Sequence, residues 1–407
     1  MAKRCRTDSF TASEKPLPHA ARSFADLPGA RPAAALLADL TAAPCGFAPV
    51  KADRPLALYG AGNMGRLARE FLGAVGREPG MVIDRNAAAL AGDPAWAGTR
   101  PVAPEVVPSA DKAAHRVAVS VVTAPYVPIE RELKRLGFAD VVPFYDLAES
   151  FRDRHPLSNG WFAAPLTPDE QARTAAVLDG WADDTSRAHH LQFLAWRRLR
   201  EEWTFEAAPP LPNEERFFIP EILAALRDDE TFVDGGAYHG DVSRAFAEKT
   251  AGQYRQIIAI EPDRLSRARL RDTLPAFAPD AAVHEFALGA TDSEASFHHG
   301  LGYASQLSST GDVKMQVRAL DTLGLAPTFI KLHLEGGERA ALHGAKQTLL
   351  DHRPLLAATV YHNADGIYKT ARWLMQTLPR YRFLFRLHSW CGTGAVIYAI
   401  PNERGAR

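Results

Sequence analysis

The chain has 407 residues, with 46% hydrophobic and 23% charged side chains and 47 Lys and Arg against 48 Asp and Glu. At roughly 100–200 residues per domain this predicts two or three domains with ample core, and the composition excludes intrinsic disorder, collagen-like repeats and a coiled coil. A net charge of −1 lacks the positive field of a general nucleic-acid or anionic-membrane binder, so the expected partner is a small molecule, with neither nucleic acid nor membrane.

Cys5, Cys45 and Cys391 have no zinc or redox spacing, and a reducing cytoplasm suits them. The N-terminus starts basic but has no apolar segment of a secretory signal. No run reaches the roughly 18 apolar residues of a membrane span.

In chain order, residues 1–54 read as an N-terminal extension with one helix, RPAAALLADLTAA, after about twenty loose residues. Residues 55–150 read as a Rossmann-like, nucleotide-binding α/β domain. The run LALYG leads to a glycine turn and a helix, then MVID, RVAVSVVT, the helix IERELKRLG and DVVPFYD. Residues 151–214 read as a helical linker, ending in the connecting stretch AAPPLPNEE. Residues 215–407 resume the alternation with TFVDGG, QIIAIEPD, AVHEFALG, TFIKLHLE, LLAATVYH, YRFLFRLHS and TGAVIYAI. Helices are expected between the first five of these runs. The short turn between the last two predicts an antiparallel pair at the edge of a mostly parallel sheet.

Two glycine turns carry the binding chemistry. In the first, Gly60-Ala61-Gly62-Asn63-Met64-Gly65 follows a strand and opens a helix. Gly60 allows the tight turn, Gly62 a close phosphate approach, and the helix start offers free N–H groups. Asp84, ending MVID, stands about 20 residues on, where a ribose-binding acid is expected. A nucleotide or NAD(P) is therefore a candidate ligand of this domain; the alternative is that Gly60, Gly62 and Gly65 serve only helix–strand packing. An NAD(P)-dependent oxidoreductase lacks a substrate-handling constellation here, where only His115 and Tyr126 stand out.

The second turn, Asp234-Gly235-Gly236-Ala237-Tyr238-His239-Gly240, also joins a strand to a helix, DVSRAFAEK. An acid at the strand end accepts from a cationic or hydroxylated group, and glycines let the backbone approach a ligand. The next strand ends at Glu261, followed by Pro262 and Asp263, where a carboxylate can hold two ribose hydroxyls. Ala287, at the end of the third run, leaves room for an adenine ring. Two strand-end acids with a glycine turn between them suit an adenosyl ligand bearing an ammonium or sulfonium group.

With these residues in place, the stretch VDGGAYHGD, IAIEPD, FALGATDSEASF, SQLSS, VRALDTL, FIKLHLEGGERAALHGAKQTL and PLLAATVYH resembles the FkbM-type methyltransferases, in the same order, over roughly residues 215–401. The resemblance implies a class I methyltransferase fold, a seven-stranded, mostly parallel sheet whose final strand is antiparallel. The fold as a whole is then two Rossmann-like α/β units joined by a helical linker. It further implies S-adenosyl-L-methionine as cofactor and O-methylation of a hydroxyl on a sugar or other small molecule; the co-occurring nucleotide-binding domain, and not the resemblance, adds a nucleotide-linked precursor as a candidate acceptor. By motif position, Asp234, Gly235, Gly236 and Gly240 would surround the methionine moiety and Glu261 would hold the ribose.

The family usually has Asp where this chain has His333, and Gly337 loosens the following helix start. His333 is a candidate base for the acceptor hydroxyl; the other reading is a cofactor- or nucleotide-binding protein with a catalytically degenerate domain. Glu335 is placed to orient the hydroxyl, ligate a divalent ion or cap the next helix. On an alternating strand, Lys331, His333 and Glu335 share one face, and Tyr361 and His362 end the fifth strand on the same sheet edge. Lys331, His333, Glu335 and His362 are thus the catalytic candidates, and no metal site is assigned. His189-His190 and His298-His299 read as surface or interface residues, because adjacent side chains point apart. Arg197-Arg198-Leu199-Arg200 reads as a solvated helix face, with Trp196 and Trp203 packing that same helix.

Overall fold

The computed structural model describes residues 19–157 and 161–404; the loose start expected of the extension and Cys5 fall outside them. The extension contributes a strand, Ala21–Phe24, parallel to Glu202–Phe205. Its helix, Ala30–Ala42, buries Ala33, Leu37 and Leu40 at the i, i+4, i+7 spacing of one helical face. That face packs on the helices Pro168–Gly180 and Asp184–Leu199.

The first sheet is four-stranded and parallel, in the order Met81–Ile83, Leu56–Tyr59, Arg116–Val119, Asp140–Pro143. Leu56–Tyr59 is buried at all four positions, as a strand covered on both faces must be. The chain leaves it for one neighbour and returns to the other side. The connections therefore diverge at Gly60, which opens a crevice at the carboxyl end of the sheet.

The second sheet has seven strands in the order Tyr381–Leu387, Ala395–Pro401, Leu355–Thr359, Phe329–Leu332, Thr231–Gly235, Gln256–Ile260, Ala282–His284. Ala395–Pro401 is antiparallel to both of its neighbours. The expected antiparallel strand thus lies one position in from the edge, and the edge strand Tyr381–Leu387 runs with the others.

Two sequence expectations are corrected here. The third strand ends at His284, and Ala287–Leu288 leaves for a separate four-stranded sheet with Ser293–His298, Gln306–Leu307 and Val313–Arg318. No α-helix joins the third strand to the fourth among the described residues. Val313–Arg318 alternates between more and less exposed positions, the period of a half-solvated antiparallel strand rather than a helix.

The linker helix Asp184–Leu199 is interior, not a solvated face. Arg197, Arg198 and Arg200 are at most 5% exposed. Burying three guanidinium groups is tolerable because each reaches an acceptor. Arg197 Nη1 donates to Tyr361 O at 2.8 Å, Arg198 Nη2 to Ala43 O at 3.1 Å and Arg200 Nε to Asp146 Oδ1 at 2.8 Å. Trp203 belongs to the strand Glu202–Phe205, not to this helix, which ends where Arg200 turns left-handed at φ 57°. His189 and His190 are buried as well and point apart, toward Ala208 O and Ile367 O. His298 and His299 also take different partners, Thr310 and Asp263.

Candidate active site

The first pocket forms where the second glycine turn leaves the strand Thr231–Gly235. Gly236 has φ +73°, and a Cβ on it would lie 2.0 Å from His333 O, so only glycine lets the ends of the first and fourth strands meet this closely. Tyr238 follows with φ +51°. Glu261, just past the second strand, is buried; its Oε2 accepts from Tyr238 N at 2.7 Å and its Oε1 from Asp263 N at 2.8 Å. Burial pushes its carboxyl up to about 7, against the pull of those two backbone N–H groups. Gly236, Tyr238, Glu261, Pro262 and Ala287 line the pocket, as do Phe297, Gln306 and Leu307 from the inserted sheet. Those last three carried no individual signal in the sequence beyond membership of the resembling stretch.

The other expected cofactor residues stand behind this wall. Asp234 is fully buried; its Oδ1 accepts from Lys331 Nζ at 2.8 Å and its Oδ2 from Ser243 Oγ at 2.7 Å. It braces the turn instead of facing the pocket. Gly235 packs on Leu332 and Leu288, and Gly240, at φ +91°, packs on Leu270. Asp263 caps the helix Arg264–Thr273 through Ser266 N and also accepts from Gly300 N. Burial raises its pKa, yet those N–H groups and His299 outweigh it and hold the carboxyl at about 2.

The catalytic candidates assemble differently from the alternating strand expected. The fourth strand ends at Leu332, so Lys331, His333 and Glu335 do not share a strand face. Lys331 points into the sheet, toward Asp234 and Gly236 O. Beyond Leu332 the chain turns: Glu335 is left-handed at φ 50° and Gly336 follows at φ 104°. A non-glycine residue rarely adopts that conformation, and here it folds the Glu335 carboxylate back over His333. Glu335 Oε1 lies 3.0 Å from His333 Nε2 and 3.3 Å from His362 Nε2.

Glu338, the first residue of the next helix, completes the cluster, and neither it nor Glu335 caps that helix. Its Oε1 accepts from Leu334 N at 2.8 Å and Thr359 Oγ1 at 2.6 Å, its Oε2 from Gly336 N at 3.0 Å, and His362 Nδ1 lies 3.2 Å away. Sequence reasoning missed it; the only signal was an acid opening a helix after two glycines. Tyr361 Oη lies 3.3 Å from His333 Nε2 and accepts from Arg216 Nη2 at 2.7 Å.

The charges of the cluster are mutually set. Burial opposes ionisation of Glu335, but His362 and His333 hold its carboxyl far below the usual range. His362, pushed down by burial, is raised well above an ordinary histidine by Glu335 and Glu338. His333 falls to about 4 through burial and the Arg216 charge.

His333 and Glu335 line the first pocket and also a second cavity of about 700 Å³. Tyr361, His362 and Arg216 form one side of that cavity; Gly60, Gly62, Asn63, Asp84 and Arg85 form the other. The first glycine turn therefore faces His333 and Glu335 across this chamber, while Gly236 and Tyr238 of the second turn line the first pocket on the other side of those two residues. Gly60 (φ +103°) and Gly65 are required by packing, since added Cβ atoms would meet Val121 at 2.7 Å and Gly60 O at 2.1 Å, whereas Gly62 has open space. Asp84 Oδ2 accepts from Ala61 N at 2.7 Å, which ties the second strand to the turn.

A seven-stranded sheet with its last strand reversed beside the fifth, and a pocket at the carboxyl ends of its first strands, defines a methyltransferase-type α/β domain. Residues 234–385 match the family model of the methyltransferase FkbM domain, and this part of the chain is such a domain. The crystal structure of methyltransferase FkbM from Methylobacillus flagellatus KT shares the fold, with a TM-score of 0.59 and 19% identity, covering 91% of this chain and 98% of that one. A precorrin-6y C5,15-methyltransferase from Geobacter metallireducens GS-15 aligns at TM-score 0.28 and 17% identity, over 44% of this chain and 82% of that one. No curated protein sequence matches the chain. No helix among the described residues is long and apolar enough to cross a membrane.

Proposed function

We propose that the protein is an S-adenosylmethionine-dependent methyltransferase that methylates a hydroxyl of a small molecule, a sugar or a nucleotide-linked precursor. The observation that carries this reading is the position of His333 and Glu335 where the two cavities meet. The first pocket fits the cofactor: Gly236 and Ala287 leave room for it, and the buried Glu261 carboxylate is an acceptor for ribose hydroxyls. Bound there, S-adenosylmethionine would supply an electrophilic methyl group.

The chain's own contribution is orientation and exclusion of water. An acceptor hydroxyl entering from the chamber meets His333 Nε2 and Glu335 Oε1, with Tyr361 Oη beside them. Glu338 fixes the His362 ring, and Arg216 fixes Tyr361. The first glycine turn forms the far wall, so Gly62 and the start of the helix Asn63–Ala74 are available to an extended, anionic part of the acceptor. That shared chamber supports an acceptor-binding role for the turn over an independent NAD(P) site.

The test is turnover of methyl-labelled S-adenosylmethionine with a panel of free and nucleotide-linked sugars. The expected result is label in the acceptor and S-adenosylhomocysteine formation that depend on Glu335. Hydride transfer from NAD(P)H, with no methyl transfer to any hydroxyl, would overturn the reading.

A further inference from the structure

We propose that His333 Nε2, Glu335 Oε1 and His362 Nε2 are the protein ligands of a divalent transition-metal cation whose open coordination positions face the chamber. Binding of the cation stands apart from the methyltransferase reading; its use on an acceptor hydroxyl rests on that reading.

The spacing is the first argument. The three ligand atoms lie within 4.8 Å of one another, and Glu335 Oε1 is 3.0 and 3.3 Å from the two imidazole nitrogens. Ligands about 2.1 Å from a common tetrahedral or octahedral ion stand roughly 3.0–3.4 Å apart. The carboxylate–imidazole separations therefore already match coordination.

The second argument is the support behind the ligands. Metal-binding histidines commonly give their other ring nitrogen to a carboxylate, which fixes ring and tautomer. His362 Nδ1 lies 3.2 Å from Glu338 Oε1, and Glu338 is itself buried and held by Thr359 Oγ1 and Leu334 N. This leaves His362 Nε2 directed at Glu335. The left-handed turn at Glu335 adds a third observation, because backbone strain of that kind concentrates at functional sites.

Two imidazoles and one carboxylate suit zinc, manganese, iron or cobalt ions better than magnesium or calcium, which prefer all-oxygen shells. All three ligands line the chamber. An acceptor hydroxyl taking an open position would be held beside the first pocket, with its proton released to chamber water. The Arg216 charge lies next to Tyr361 on one side of the cluster and Arg197 donates to Tyr361 O, and Glu335 and Glu338 oppose these charges.

The experiment uses tag-free full-length protein, stripped with a chelator and titrated calorimetrically with zinc, manganese and magnesium ions, with cobalt(II) absorption as a second readout. The expected result is one transition-metal ion per chain. Glu335→Ala and His362→Ala should each weaken binding at least 100-fold, and Glu338→Gln about 10- to 100-fold, while His298→Ala leaves it unchanged. Should a variant fail to fold, the cobalt spectrum of the wild type still reports nitrogen and oxygen coordination or its absence. Sub-stoichiometric binding, binding that survives His333→Ala with His362→Ala, or a preference for magnesium would overturn the proposal. S-adenosylhomocysteine affinity measured on the same samples separates the two readings: cofactor binding without metal removes the cation site alone.

Discussion

Lys331 Nζ lies 2.8 Å from Asp234 Oδ1, and these two buried residues are register partners on the fourth and first strands of the large sheet. The same ammonium donates to Gly236 O at 2.8 Å, so one ion pair holds the second glycine turn in shape. Removing one partner of such a pair leaves an uncompensated buried charge.

Lys331→Met should therefore cost about 3–5 kcal/mol of stability and weaken S-adenosylhomocysteine binding. Lys331→Met with Asp234→Asn should recover most of the stability. Urea unfolding and calorimetry check both. A Lys331→Met variant with normal cofactor affinity and a loss in kcat alone would instead mark Lys331 as a group acting on the substrate.

The glycines of the two turns should respond in opposite ways. Gly236→Ala places a Cβ against His333 O at a positive φ, which should destabilise the fold by about 2 kcal/mol or more and abolish cofactor binding. Gly62→Ala enters open space and should leave the melting temperature and cofactor affinity unchanged while raising the acceptor KM. Thermal melts and steady-state kinetics on the two variants decide it.

Glu261 sets a pH dependence. Its carboxyl is raised from 4.5 to about 7 by burial, so the folded chain binds this proton more tightly than the unfolded one. That contribution to stability is whole below about 4.5 and is lost as pH rises through about 7. Ribose hydroxyls donate to the ionised form, so S-adenosylhomocysteine affinity should rise between about pH 6 and 8. Glu261→Gln should bind more weakly, with a flat profile over that range. Calorimetry across pH reads both.

Much of this architecture is legible in the sequence, because parallel interior strands are continuous apolar runs and glycine turns follow them. LALYG, TFVDGG and QIIAIEPD all fall on strands of the two sheets. The inserted sheet was hidden, since a two-residue buried strand such as Ala287–Leu288 resembles the tail of its neighbour. The cluster was legible in composition but not in geometry. Alternation put Lys331 beside His333 and Glu335, whereas the strand stops at Leu332 and a left-handed Glu335 regroups the side chains. The buried arginines of the linker were unreadable, because a charged run is ordinarily solvated and their acceptors lie far off in sequence.

One of those acceptors gives a further test. Arg200 Nε and Asp146 Oδ1 lie 2.8 Å apart, both at most 2% exposed, and join the linker to the first glycine-turn unit. Arg200→Met should cost about 3–5 kcal/mol by stranding Asp146. It should also raise the acceptor KM by loosening the far wall of the chamber, with cofactor affinity retained. Denaturant melts and kinetics on Arg200→Met, alone and with Asp146→Leu, measure the coupling.

The central claim is that the pocket between the second glycine turn and Glu261 holds S-adenosylmethionine beside His333 and Glu335. Its most direct test is calorimetric titration with S-adenosylhomocysteine and, separately, NAD, comparing wild type, Glu261→Ala and Gly62→Val. S-adenosylhomocysteine should bind the wild type, with Glu261→Ala weakening it at least tenfold and Gly62→Val leaving it intact. Binding of NAD alone, abolished by Gly62→Val, would contradict the claim.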